Sequence, residues 1–287
     1  MSWVPLWARG DDDGVKAYRE TLYEGVPEHL FSSLRSWLIS ALADDYEIMG
    51  RELRVAVEPH SGSASAVSAL LRNPDRRDDL LLAAADWILH RWYGMDDYER
   101  TVEEDQLISE LVQLLEQSGS AWKVSLAEPY WRLMRRVSPE LQSQADLVVP
   151  SGTTAGSEIG LAWAAAFGLK PDYPKAFQHA VTAVESEALQ LFIPKDGAGT
   201  LGKAIAHLSL KPERYTVAGL DDKKSDSAAT LLGMLRMLWD NQERHAPPNG
   251  AAPEPASEEQ AVAAVTVAVT LVQWFQAGTI REANGSS

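Results

Sequence analysis

A chain of 287 residues and 31.5 kDa, 45% hydrophobic, is long enough for two ordinary domains with real cores, and none of its apolar runs approaches the ~20 residues of a membrane span. It contains no cysteine, which excludes disulfides, thiolate metal sites and a cysteine nucleophile, and makes a reducing, cytoplasmic setting the expectation. The formal charge is -15, and without a broad basic footprint nucleic acid could be engaged only in a small local site.

The acidity is uneven. Residues 1–118 carry 11 Lys/Arg against 23 Asp/Glu, 119–150 carry 4 against 3, and 151–287 carry 11 against 15. The opening "MSWVPLWARGDDDG" has no charged stretch followed by an apolar one, so no export signal is read there.

Helical periodicity dominates the chain from Val26 to Gly119. In "VPEHLFSSLRSWLISAL" the residues Leu30, Leu34, Trp37, Leu38 and Ala41 recur at three- and four-residue spacings, with Pro27 suited to a first helical turn. Similar stripes predict helices over roughly 48–57, 63–72, 76–93 and 103–117, the last stopped at Ser118-Gly119. Residues 1–118 therefore read as an acidic, all-helical domain.

The texture changes in "AWKVSLAEPYWRLMRRVS", which is rich in Trp, Val and Tyr, partly alternating, and broken by Glu128-Pro129. It reads as a small hairpin or extended connector, with a short helix expected near 139–147. Residues 119–150 are taken as a connector, and "PSGTTAGSEIG" as the start of a second domain over 151–287.

That domain is helical as well. "EIGLAWAAAFG" predicts a helix ended by Gly168, and "PDYPKAFQHAVTAVESEALQLFIP" a longer one with Phe177, Ala180, Val181, Val184, Ala188 and Leu191 on one face. Thr200 is placed as the N-cap of "LGKAIAHL". "SDSAATLLGMLRMLWDNQER" sets Leu231, Leu235, Leu238 and Gln242 along one stripe. The last helix opens with a capping box from Ser257 to Gln260, carries Val262, Val265, Val269, Val272 and Phe275 on its apolar face, and stops at Gly278.

Several motifs point to bland chemistry. "GAGTLGKA" matches a dinucleotide glycine pattern and most of a phosphate-binding loop, but both need a preceding β-strand, and here a helix precedes and Ala204 stands where Ser or Thr would hold magnesium. It reads as a loop leading into a helix. The histidines at 29, 60, 90, 179, 207 and 245 show no zinc spacing, and the acidic runs lack the alternation of a calcium loop, so no metal and no cofactor are expected. No GxSxG elbow is present. Trp87, Trp92, Trp122, Trp131, Trp163, Trp239 and Trp274 sit at core-like positions of separate elements, as in packed interiors rather than a base-stacking platform.

"WDNQERHAPPNG" is different, because Arg244 and His245 adjoin where a helix pattern gives way to prolines. A histidine can move protons near neutral pH, and an adjacent arginine can stabilise phosphoryl charge. Cations at a helix end can equally be structural, stabilising the last carbonyls by roughly 0.3–1 kcal/mol. The residues by themselves leave both readings open.

The segments "AWAAAFGLKPDYPKAFQHAVTAVESEAL", "IPKDGAGTLGKAI", "LLGMLRMLWDNQERHA" and "AVTVAVTLVQWFQAG" resemble, in that order over about 161–280, the abortive-infection protein C-terminal domain of bacteria and their phages. That family is similar to the HEPN superfamily of helical bundles, many of them metal-independent RNases of toxin and phage-defence systems, in which a dimer assembles Arg-x(4 to 6)-His motifs. The periodicity gives a mainly α protein with two helical domains and a short, partly extended connector, and the resemblance implies that the second ends in a HEPN-like helical bundle. The resemblance further implies a homodimer through the C-terminal domain, an RNA substrate, and a protein trigger or antitoxin, while the lack of a long apolar run leaves no role for a membrane.

The histidine of that motif falls on His245. Its spacing asks for arginine at 238, 239 or 240, where this chain has Leu238, Trp239 and Asp240. Arg236 is nine positions upstream, about 13.5 Å of rise and about 180° around a continuous helix. The phosphate-binding role therefore passes to Arg244 or to an arginine from a partner chain, with Arg236 as a supporting cation. The expected function is a phage-defence or toxin-type effector with an endoribonuclease C-terminal domain. The alternative is a non-catalytic helical binding, regulatory or scaffold protein in which Arg244-His245 is only a helix cap.

Overall fold

The computed structural model describes residues 21–92, 101–127, 130–219, 227–240 and 255–283, and is mainly helical. The chain divides into two compact units, Met1–Arg136 and Val137–Ser287.

In the first unit, α1 (Glu28–Leu42) buries Leu30, Leu34, Trp37, Leu38 and Ala41, the stripe its spacing predicts. It packs on α3 (Ser63–Leu70), α4 (Arg77–Arg91) and α5 (Val102–Gln117). Trp37 donates its indole N–H to the Leu107 carbonyl at 2.7 Å, so a large core ring leaves no polar atom unmet. A capping box between Thr101 and Glu104 starts α5.

The helix expected over 48–57 is shorter: α2 spans Tyr46–Glu52. Past it, Arg54 takes φ 56° and the chain doubles back, so that Val55 N–H donates to the Gly50 carbonyl at 2.8 Å. A β-carbon on Gly50 would lie 2.7 Å from Val57 Cγ2, so that glycine lets the returning chain lie close over the helix.

β1 (Trp122–Ala127) and β2 (Tyr130–Arg135) form an antiparallel hairpin with Val124 opposite Leu133. β2 packs on α4 and β1 on α5. Asp86, buried on α4, accepts from Leu133 N–H at 2.7 Å and from the Arg132 guanidinium at 3.1 Å, pinning the hairpin to the helix. α4 can sit between neighbours because Leu80, Leu81, Leu82, Ala84, Ala85, Ile88 and Leu89 make it apolar nearly all round.

In the second unit, α6 (Pro139–Val148) follows an N-cap at Ser138 and packs on α11 (Glu258–Gln276). α7 (Thr154–Phe167) is ended by Gly168. α8 (Tyr173–Phe192) is the central helix and contacts α7, α11 and α9 (Leu201–Leu210). Its buried residues include Ala176, Ala180, Ala183, Val184 and Ala188, small side chains that let several helices approach it. At its end Phe192 takes the core position, while Leu191 is half-buried.

α10 (Ser227–Asp240) buries Leu231, Leu235 and Leu238 and packs on α9. α11 opens with the capping box Ser257/Gln260 and buries Ala261, Ala264, Val265, Ala268, Val269, Leu271 and Val272, so its core face includes more alanine than the valine pattern suggests, with Val262 and Phe275 half-buried. Gly278 turns the chain with φ 67° into β4 (Ile280–Glu282), which pairs antiparallel with β3 (Tyr215–Val217). The tryptophans are less interior than expected: Trp163 is buried, but Trp87, Trp92, Trp122, Trp131, Trp239 and Trp274 are half-buried. Their indoles have polar ends to satisfy, as where Trp122 donates to the Glu24 carbonyl at 2.7 Å. No helix among the described residues is long and apolar enough to cross a membrane.

Candidate functional site

Of the three residues singled out in sequence, Arg236 lies exposed on α10 and donates to Ser209 Oγ on α9 at 3.3 Å. Arg244 and His245 lie outside the described residues, beyond Asp240 at the end of α10. Leu238 is 1% exposed, so one position that the Arg-x(4 to 6)-His spacing would use faces the core.

Two sequence blocks from the resemblance meet here. Trp239, in the last turn of α10, lies against Gly202 in the first turn of α9. Thr200 caps α9 by accepting from Lys203 N–H, as its placement predicts. The Lys203 ammonium donates to Asp196 at 3.0 Å and to the Ala198 carbonyl at 2.9 Å, and this pairing holds the Asp196 carboxyl below its ordinary range. Glu185 accepts from Leu201 N–H at 2.7 Å. A carboxylate of α8 thus occupies the helix start that a phosphate-binding loop would offer to its ligand, and the segment before the loop is a helix.

A second feature of the same unit is an open cleft of about 570 Å³ where the end of α8, the end of α9 and the β3–β4 ladder converge. Tyr215 opens β3, is 4% exposed and is one of the residues lining the cleft, and its hydroxyl shares a 3.2 Å hydrogen bond with His207 Nε2. Burial pushes the phenol up from its ordinary pKa, so it keeps its proton through the neutral range. The Phe192 and Tyr215 rings meet edge to face at 4.7 Å between centroids. Arg214 lies over the Tyr215 ring and donates to Glu282 of β4 at 2.8 Å.

Sequence reading treats His207 as an imidazole inside a helical pattern, and it misses this cleft. Its partners come from a turn a few residues on, and from a strand near the chain's far end, neither of which carries a local motif. The only signal in the sequence is a histidine in the last turn of a helix followed by Pro212, Arg214 and Tyr215.

Two other histidines have structural partners. His179 Nδ1 lies 2.7 Å from Glu158 Oε2, joining α8 to α7, and His29 Nε2 lies 3.0 Å from the Ser118 carbonyl. Among the described residues no group of three or more His, Asp or Glu is gathered as a metal site would require. Comparison of the chain with protein-family models, with curated proteins and with solved structures gives no match.

Proposed function

We propose that the protein is a phage-defence or toxin-type effector whose C-terminal unit cleaves RNA without a metal, acting as a dimer. In this reading His245 takes the proton of the ribose 2′-hydroxyl as that oxygen attacks phosphorus, and returns it to the 5′-oxygen as the bond from that oxygen to phosphorus breaks. Arg244 holds the charge that grows on the phosphate oxygens, and Arg236 supports it. The first unit senses a trigger or restrains the activity.

The observation that supports the reading is the contact of Trp239 with Gly202. It joins the TLGK block to the WDNQERH block, which lie far apart in sequence and carry much of the family resemblance. The chain leading to Arg244 and His245 therefore departs from a helix end fastened to a neighbour, and such support favours a positioned pair.

A second reading is favoured by Leu238 in the core and Asp240 at the end of α10, which leave the spacing without its arginine. Under it the protein is a non-catalytic binding or regulatory module, and Arg244-His245 caps a helix. The full chain incubated with tRNA and mRNA, with and without phage lysate, separates the two. Cleavage that disappears in Arg244→Ala and His245→Ala, both folded by circular dichroism, supports the effector. Intact RNA with the wild type, together with unchanged cellular behaviour of His245→Ala, excludes it.

A further inference from the structure

The antiparallel helices α1 and α5 of the first unit leave an open cleft of about 430 Å³ along their seam. Trp37, which donates to the Leu107 carbonyl, and His29, which meets the Ser118 carbonyl, fasten the pair side by side. Buried Trp37 and half-buried Leu114 give the cleft an apolar base. Its walls are exposed and polar: Ser32, Ser33, Ser36 and Ser40 of α1, and Glu110 of α5.

These polar groups are uncommitted. Ser68, Ser109, Ser143 and Ser209 each return the hydroxyl to the carbonyl four residues earlier at 2.8 Å, the usual local outlet for serine inside a helix. The four serines of α1 do not, and neither they nor Glu110 has a hydrogen-bond or ion-pair partner among the described residues. Serine is a poorer helix former than alanine, so four of them on one flank weaken α1 without a local return.

Charge selects what fits there. α5 carries Glu103, Glu104, Asp105, Glu110 and Glu116 and no cation, and Arg35, the one arginine of α1, does not line the cleft. Residues 1–118 hold 11 Lys/Arg against 23 Asp/Glu. Nucleic acid, an anionic membrane and a second copy of the same face are therefore repelled. A cation is attracted, and an ammonium has three N–H donors to share between the Glu110 carboxylate and the serine oxygens. The short side chains of α1 let a third helix approach closely, and the apolar base accepts a leucine-sized side chain.

We infer that the seam of α1 and α5 is the docking site for a basic amphipathic helix of a protein partner. Lysines of that helix meet Glu110 and the serine hydroxyls, and an apolar residue rests on Trp37 and Leu114. The inference assigns a partner chemistry to the first unit and is independent of the RNA-cleavage reading, which concerns the second unit alone.

Alkylation of single thiols in the full chain tests it, because the protein has no cysteine of its own. Ser36→Cys reports on the cleft and Glu140→Cys, on the second unit, is the control; both positions are exposed and outside the core. The probe is a Leu/Lys amphipathic helical peptide of about 18 residues, compared with a Leu/Glu peptide of the same pattern. The Leu/Lys peptide slows alkylation at position 36 by about tenfold or more and leaves position 140 unchanged, and the Leu/Glu peptide slows neither. Adding Glu110→Gln raises the half-protecting concentration about fivefold, the upper end for an exposed ion pair. Equal protection by the two peptides, equal protection at the two positions, or a half-protecting concentration unchanged by Glu110→Gln overturns the inference. Full reactivity of Ser36→Cys at roughly millimolar Leu/Lys peptide does so too. Protection by tRNA, by anionic vesicles or by raising the protein's own concentration, in place of the Leu/Lys peptide, likewise overturns it.

Discussion

The indole of Trp239 fills the space above Gly202: a β-carbon there would lie 2.6 Å from Cζ2 and 2.8 Å from Cε2. Two effects then oppose each other in Gly202→Ala. Alanine favours the helix by about 1 kcal/mol over glycine, while overpacking costs about 1–3 kcal/mol. Because the obstacle is a half-buried ring and not a flexible chain end, the steric effect wins, and urea unfolding shows net destabilisation. In a Trp239→Leu background the same change becomes stabilising. If Gly202→Ala stabilises the wild type, the contact is looser than described.

Among the described residues of the first unit, Asp86 is a polar position expected to be sensitive to substitution. Removing its carboxylate in Asp86→Ala strands the buried Leu133 N–H, which costs about 1–3 kcal/mol, and Arg132 loses its partner. Asp86→Asn retains one acceptor and loses less. Amide exchange at Leu133 distinguishes the cases: rapid exchange is expected in the alanine variant and intermediate protection in the asparagine one.

The start of α11 rests on one side chain from each direction. Ser257 Oγ accepts from Gln260 N–H, and Gln260 Oε1 accepts from Ser257 N–H. Ser257→Ala is expected to cost about 1 kcal/mol, and Ser257→Asp to cost little, since aspartate caps as well. A thermal melt shows the difference directly. Equal midpoints for the two variants would mean that burial of the helix, not its cap, holds this end.

Acid should loosen the start of α8 through Asp172. Lys175 bonds the carboxylate through its ammonium, at 2.8 Å, and through its backbone N–H, and so holds the carboxyl below its ordinary range. A depressed folded-state value means that the contribution is complete above the ordinary carboxylate range and is lost as pH falls through the folded value. Stability measured from about pH 6 down to about pH 3 therefore falls less steeply in Asp172→Ala than in the wild type. The site is largely exposed, so solvent screening keeps the difference small.

Elements with local grammar are readable from sequence. The capping box at Ser257, the Thr200 cap and the Gly168 stop are decided by residues within one turn of each other, so sequence spacing carries them. The end of α2 at Glu52 is not, because it depends on Val57 folding over Gly50. The β3–β4 ladder is not readable either: such short strands have no periodicity to detect, and partners such as Val217 and Ile280 lie far apart along the chain. His207 becomes notable only when that ladder brings Tyr215 and Glu282 to the same cleft. Arg244 and His245, the pair most conspicuous in sequence, fall outside the described residues, so their reading still rests on residue type and resemblance.

The pairing of Val217 with Ile280 turns residues 218–279 into a closed excursion, with both feet tied by the ladder. In polymer terms, the entropy of closing such a loop grows only with the logarithm of its length, about 0.6 kcal/mol per doubling. Lengthening the Pro/Gly-rich stretch after His245 is therefore nearly free, whereas cutting the chain before Ile280 releases the knot itself. Evolution of this protein could vary the contents of the excursion widely, as long as the short strand at its far foot persists.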